Sequence, residues 1–130
     1  MMFFSVCFFW GCSRGGNEGT PDSISIECIE NSDCTATFFD LDTEVETELD
    51  HETLQEAIAF MNSQSPKTII DGLERMFFGR MRFSNSKDEL WFLEGRPLIV
   101  CKVVNGTPRR SYQLTCNWED LVLEMSRIVK

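Results

Sequence analysis

A run of strict alternation between Phe39 and Asp50 constrains this chain more than any other stretch. Acids stand at Asp40, Asp42, Glu44, Glu46, Glu48 and Asp50, with Leu41, Thr43, Val45, Thr47 and Leu49 between them. A period of two is the period of a β-strand. One long strand is therefore predicted over Cys34–Leu49, with carboxylates on one face and a packable row on the other. Alternate residues on one face lie about 7 Å apart, so each neighbouring carboxylate pair costs about 0.6 kcal/mol in bulk water. Physiological salt screens much of that. The ladder has four physical readings: a solvated edge whose charges discourage sheet-to-sheet association, pairing with Arg80/Arg82 or Arg109/Arg110, docking of a cationic partner, or a loose calcium site.

The rest of the chain allows a real core. Its 130 residues are 42% hydrophobic with 11 Phe and 3 Trp, which excludes wholesale disorder. A net charge of −9 argues against nucleic acid as a ligand, because phosphate contacts need clustered Lys and Arg. It favours solubility, and a cationic partner or a metal ion as the charged ligand.

Residues 1–12 form a short apolar run ending at Gly11-Cys12, too short to span a bilayer. An apolar segment closed by a small residue reads as a signal peptide over 1–11. The Gly11-Cys12 junction resembles the lipobox of bacterial lipoproteins. That resemblance covers the leader alone; it implies that Cys12 is lipidated and becomes the new N-terminus. Ser13 is similar to the residue that follows the Cys in outer-membrane-sorted lipoproteins. The implied location is the periplasmic face of the outer membrane, with membrane contact through a lipid anchor only; a secreted protein is the alternative. Residues 12–23, rich in Gly, Ser, Pro and Asn, read as a flexible tether.

The body, residues 24–130, reads as a single domain. Residues 24–30 alternate as a strand, and Asn31-Ser32-Asp33 is turn chemistry. A hairpin centred on Asn31 sets Cys28 opposite Cys34, within reach of a disulfide. Asp50 can cap a helix whose buried face is Leu54, Ala57, Ile58 and Met61. Ser65 and Pro66 then read as the N-cap and first position of a second helix over 65–78, ending at Gly79. From Arg80 the period returns to two, giving strands near 80–84, 90–93, 98–104 and 109–116. Folding the last pair about residues 108–109 places Cys101 opposite Cys116 as a second staple, although crossed pairings stay open. Asn117 caps a final helix with Trp118, Leu121, Met125, Ile128 and Val129 on its buried side. The expected fold class is α+β: a mainly antiparallel sheet, element order ββ-αα-ββββ-α, helices packed on one face.

The sequence offers little catalytic chemistry. Asp40-x-Asp42-x-Glu44 opens like a calcium-binding loop, but Val45 stands where the sharp turn needs Gly and His51 where a bidentate Glu belongs. The four body cysteines form no CxxC pair, so no metal ligand set is assigned. No nucleophile elbow, phosphate loop or dinucleotide fingerprint is present, so no catalytic residue and no cofactor are assigned. The expectation is a small exported acidic binding protein, an inhibitor or immunity-type factor neutralising a cationic envelope protein. Its docking residues would be Asp40, Asp42, Glu44, Glu46 and Glu48. A small periplasmic hydrolase using His51 or a raised-pKa carboxylate is one alternative; a structural envelope subunit is another.

Overall fold

The computed structural model describes residues 23–70, 75–84 and 86–129. The signal peptide expected over 1–11, the expected lipidation site Cys12 and nearly all of the tether expected over 12–23 lie outside them. The chain folds as α+β around an antiparallel seven-stranded sheet: β1 Ala36–Asp40, β2 Val45–Leu49, β3 Lys67–Ile69, β4 Phe77–Phe83, β5 Asp88–Leu93, β6 Ile99–Val104 and β7 Thr107–Gln113. Their spatial order is β2-β1-β4-β5-β6-β7-β3. Helix α1, His51–Ser63, lies between β2 and β3, and helix α2, Trp118–Ile128, follows β7.

Both helices cover one face. Leu54, Ala57, Ile58 and Met61 of α1 and Leu121, Met125 and Ile128 of α2 form one core with Phe38, Met81, Leu90, Phe92, Val100 and Tyr112 of the sheet. Period 3.6 on the helices meets period 2 on the strands, so each contributes one apolar stripe. The opposite face carries a smaller cluster of Leu93, Ile99, Cys101 and Val103, flanked by Ile69, Phe77 and Trp91.

The alternating run does not form one strand. Leu41–Glu44 is a turn joining β1 to β2, in which the Asp40 Oδ1 accepts the Asp42 N–H at 3.0 Å and the Asp40 carbonyl accepts the Glu44 N–H at 2.7 Å. An Asp carboxylate that satisfies the backbone two residues on stabilises a turn in place of an extended chain. Glu44 closes it in the left-handed region, at φ 58°.

Three other expectations change. Ile24, Ile26 and Cys28 are buried in alternation as anticipated, but residues 27–30 curl into a 3-10 turn. Asn62 holds this segment by hydrogen bonds to both backbone groups of Ile24 (2.7 and 3.1 Å), and the Asp88 Oδ2 accepts the Glu27 N–H at 3.1 Å. The turn still brings Cys28 and Cys34 together, with S–S 2.05 Å and Cα–Cα 5.7 Å.

The helix expected over 65–78 gives way to strands in the described part: Lys67–Ile69 is β3, and Phe77 opens β4. Thr68-Ile69-Ile70 is a β-branched run that fits a pleated edge better than a helix.

The expected Cys101–Cys116 bond is also not formed. Asn105 (φ 56°) and Gly106 (φ 81°) make a two-residue hairpin turn, so Val104 faces Thr107 and Cys101 faces Ser111. Cys116 instead lies beside Leu98, whose N–H it accepts at 2.9 Å, and belongs to the core on the helical face, away from Cys101. Burial, with Asp120 nearby, pushes the Cys116 thiol above its ordinary pKa.

Candidate functional site

Two lateral rows across the sheet sort the acidic residues. On the helical face, Val45, Asp40, Gly79, Phe92, Val100, Tyr112 and Thr68 are successive partners from one edge to the other. On the opposite face the adjoining row is Glu46, Phe39, Arg80, Trp91, Cys101, Ser111 and Ile69. The predicted docking residues are thus divided. Asp40 points inward and is 9% exposed, Asp42 and Glu44 sit in the turn, and Glu46 and Glu48 project from β2 on the face away from the helices.

Intramolecular neutralisation of the ladder is slight. Arg82 shares a row with Glu48, but Thr37 of β1 stands between them. Two strand spacings are about 10 Å, close to one Debye length. The Arg82 Nε lies instead 3.8 Å from Glu89 Oε2, while Glu89 Oε1 accepts the Trp91 indole N–H at 2.8 Å. The Arg80 guanidinium stacks 5.6 Å over the Phe39 ring. Arg109 and Arg110 are on β7, next to the far edge of the sheet. No ion pair among the described residues reaches Asp42, Glu44, Glu46 or Glu48.

Beside this acidic hairpin the surface is concave. A groove of about 750 Å³ runs between the Leu41–Glu44 turn, the start of β4 and the outer side of α2; its floor is Phe78 and Trp118, with Phe77 at its border. Leu41, Met76 and Leu123 stand along it, exposed by 45%, 63% and 72%. Its acids are Asp40, Asp42 and Glu119. A second cavity of about 410 Å³ continues it toward β2, lined by Val45, Thr47, Met125 and Val129. Asp40, Thr43, Val122 and Ser126 border both.

Trp118 fixes the floor. Its ring stacks on Phe78 with centroids 5.6 Å apart and lies 5.6 Å from Phe92 and 5.9 Å from Phe38. Gly79 makes this arrangement possible: a Cβ there would stand 2.3 Å from the Phe39 carbonyl oxygen and 3.0 Å from Trp118 Cη2. At its first turn, α2 is locked by the Asp120 carboxylate, which accepts the Asn117 N–H at 3.0 Å.

His51 takes no part in this concavity. It opens α1, half-buried, with Nδ1 3.2 Å from the Cys34 carbonyl oxygen, and it lines neither cavity. Among the described residues no three His, Cys, Asp or Glu side chains are placed to hold a metal ion, and no helix is long and apolar enough to cross a membrane.

The groove was the feature that strand periodicity could not disclose. Its one signal in the sequence is Leu121-Val122-Leu123, three consecutive apolar residues on a helix. Residues two apart on a helix do not share a face, so burying Leu121 leaves Leu123 outside. The groove thus joins an aromatic floor to carboxylates that form no ion pair among the described residues. No protein-family model, no curated protein and no solved structure matches this chain.

Proposed function

We propose that this chain is a binding protein rather than an enzyme: a small exported acidic protein, anchored through Cys12, that captures a cationic protein of the envelope as an inhibitor or immunity-type factor. One observation carries the reading. An open groove with an aromatic floor is bordered by Asp40, Asp42 and Glu119, while Glu46 and Glu48 project from the other face of the same hairpin. Desolvated aromatic and aliphatic side chains supply affinity at such a surface. Charge around them supplies orientation and a fast encounter.

The lipobox-like leader would bring the protein to where such a partner is met, and the Cys28–Cys34 bond fits an oxidising compartment. The test is affinity capture from an envelope extract, with the wild-type chain and two variants as bait. One variant combines Leu41→Ser with Leu123→Ser, and the other combines Asp42→Lys, Glu46→Lys and Glu48→Lys. The expected result is a basic protein retained by the wild type, released by moderate salt and lost from both variants. Equal retention by all three baits would overturn the reading.

A further inference from the structure

Strand β2 lies at the edge of the sheet and pairs only with β1 among the described residues. It is not a bare edge. Val45 and Thr47 present one side chain row toward the 410 Å³ cavity, while Glu46 and Glu48 present the other row on the opposite face. A strand added beside β2 alternates in the same way. Residues opposite Val45 and Thr47 would project over the cavity, whose far wall is Val122, Met125 and Val129 of the α2 side. Residues opposite Glu46 and Glu48 would lie on the acidic face, at cross-strand distance.

The inner row holds one more charge. Asp40 is the direct neighbour of Val45 across β1, is 9% exposed, and lines the cavity. Its Oδ1 is engaged by the Asp42 N–H. A long cationic side chain opposite Val45 would lay its aliphatic stem on Val122 and Val129 and bring its charge to this carboxylate.

From this geometry we infer that β2 is a docking edge for an extended segment of a cationic partner, joined by strand addition. The inference rests on the binding reading above and adds the mode of recognition. The recognised segment carries Lys or Arg at alternate positions against Glu46 and Glu48, and one further cation, set between apolar residues, toward Asp40. Backbone hydrogen bonds supply the pairing, and the alternate side chains supply the selection. A second copy of this chain is the wrong occupant. Two β2 edges would oppose Glu46 and Glu48 to themselves, and each molecule carries a net charge of −9.

The test uses the full chain and capped hexapeptides alternating lysine with valine. Three peptides are compared: the parent, one with glutamate for every lysine, and one N-methylated at alternate amides so that one hydrogen-bonding edge is removed. Backbone amide shifts and exchange rates are followed by NMR. The parent should bind, shift the amides of Val45–Leu49 and slow their exchange. The glutamate peptide should not bind, and N-methylation should weaken affinity at least tenfold. The inference is overturned by unchanged affinity of the N-methylated peptide, by shifts that map away from β2, or by no binding of the parent. Glu46→Lys and Glu48→Lys together should abolish parent binding with an unchanged circular dichroism spectrum. Capture of a basic envelope protein that persists in this double variant would remove strand addition and leave the broader binding reading standing.

Discussion

Reducing the Cys28–Cys34 bond should lower stability by an amount set by the loop it closes. The two cysteines are six residues apart in sequence. Chain-entropy arithmetic for so short a loop gives about 2 kcal/mol. For a chain of this size that corresponds to a fall in Tm of roughly 8 °C. The bond does more than shorten the unfolded chain, because it ties the segment from Ile24 to the start of β1. Cys34 is fully buried, and Cys28 nearly so. Replacing both by Ala should therefore cost somewhat more than reduction, about 3 kcal/mol, since lost sulfur contacts add to the entropy. The assay is thermal and urea unfolding followed by circular dichroism, with and without reductant, on the wild type and the double Ala variant. The reductant should act on the wild type and leave the variant unchanged. A fall of less than about 3 °C on reducing the wild type would refute the loop argument.

Gly79→Ala drives a methyl into the Phe39 carbonyl and the Trp118 ring; it should cost about 3 kcal/mol by overpacking, read as a shifted urea midpoint. Gly106→Ala meets open space but keeps a left-handed backbone; its cost should be smaller, about 1 kcal/mol, and the same melts rank the two. Asp50 caps α1, and the Thr53 N–H holds its carboxyl below the usual range. The contribution of a depressed carboxyl is present above its unfolded pKa and is lost as pH falls through the folded value. Asp50→Asn should therefore destabilise most near neutrality, with the two Tm curves converging as pH falls below 4. Cys116, raised in pKa by burial, should alkylate with iodoacetamide far more slowly than free glutathione at pH 8, and at a comparable rate once urea unfolds the chain.

Much of the architecture was legible where one local rule dominated. Strands β4 to β7 form close to the alternating stretches of the sequence, and both helices start one residue after the expected caps, Asp50 and Asn117. The errors share a cause: two local rules compete, and periodicity does not arbitrate. Over Phe39–Asp50 the alternation is uninterrupted, yet Asp40 can bond the backbone two residues on, and that short-range option breaks the strand. Over 65–78 the apolar spacing suits a helix, but β-branched Thr68, Ile69 and Ile70 suit an edge, and an open edge at β7 was available. The Cys101–Cys116 pairing fails because it needs a turn centred three residues further on. Asn105-Gly106 is the stronger hairpin signal, and with the bulge at Lys102/Val103 it makes Ser111 the partner of Cys101. For the groove, sequence supplied only the misfit of Leu123 on α2. Which apolar residues remain outside depends on how α2 meets the β1–β2 turn, a contact between segments remote in the chain.

The strand order also carries a history of assembly. Strands β4, β5, β6 and β7 are neighbours in space and consecutive in sequence, so each joins by closing a short loop. Strands β1 and β3 find β4 and β7 only across long intervals, and β2 has nothing to pair with until β1 is in place. Loop closure costs entropy before the contact repays it. The central meander should form first and the acidic hairpin arrive late, docking onto β4 as a finished unit. Pulse-labelling hydrogen exchange should find amides of β5 and β6 protected before those of β1 and β2. The edge proposed to receive a partner strand is then also among the last parts of the sheet to close.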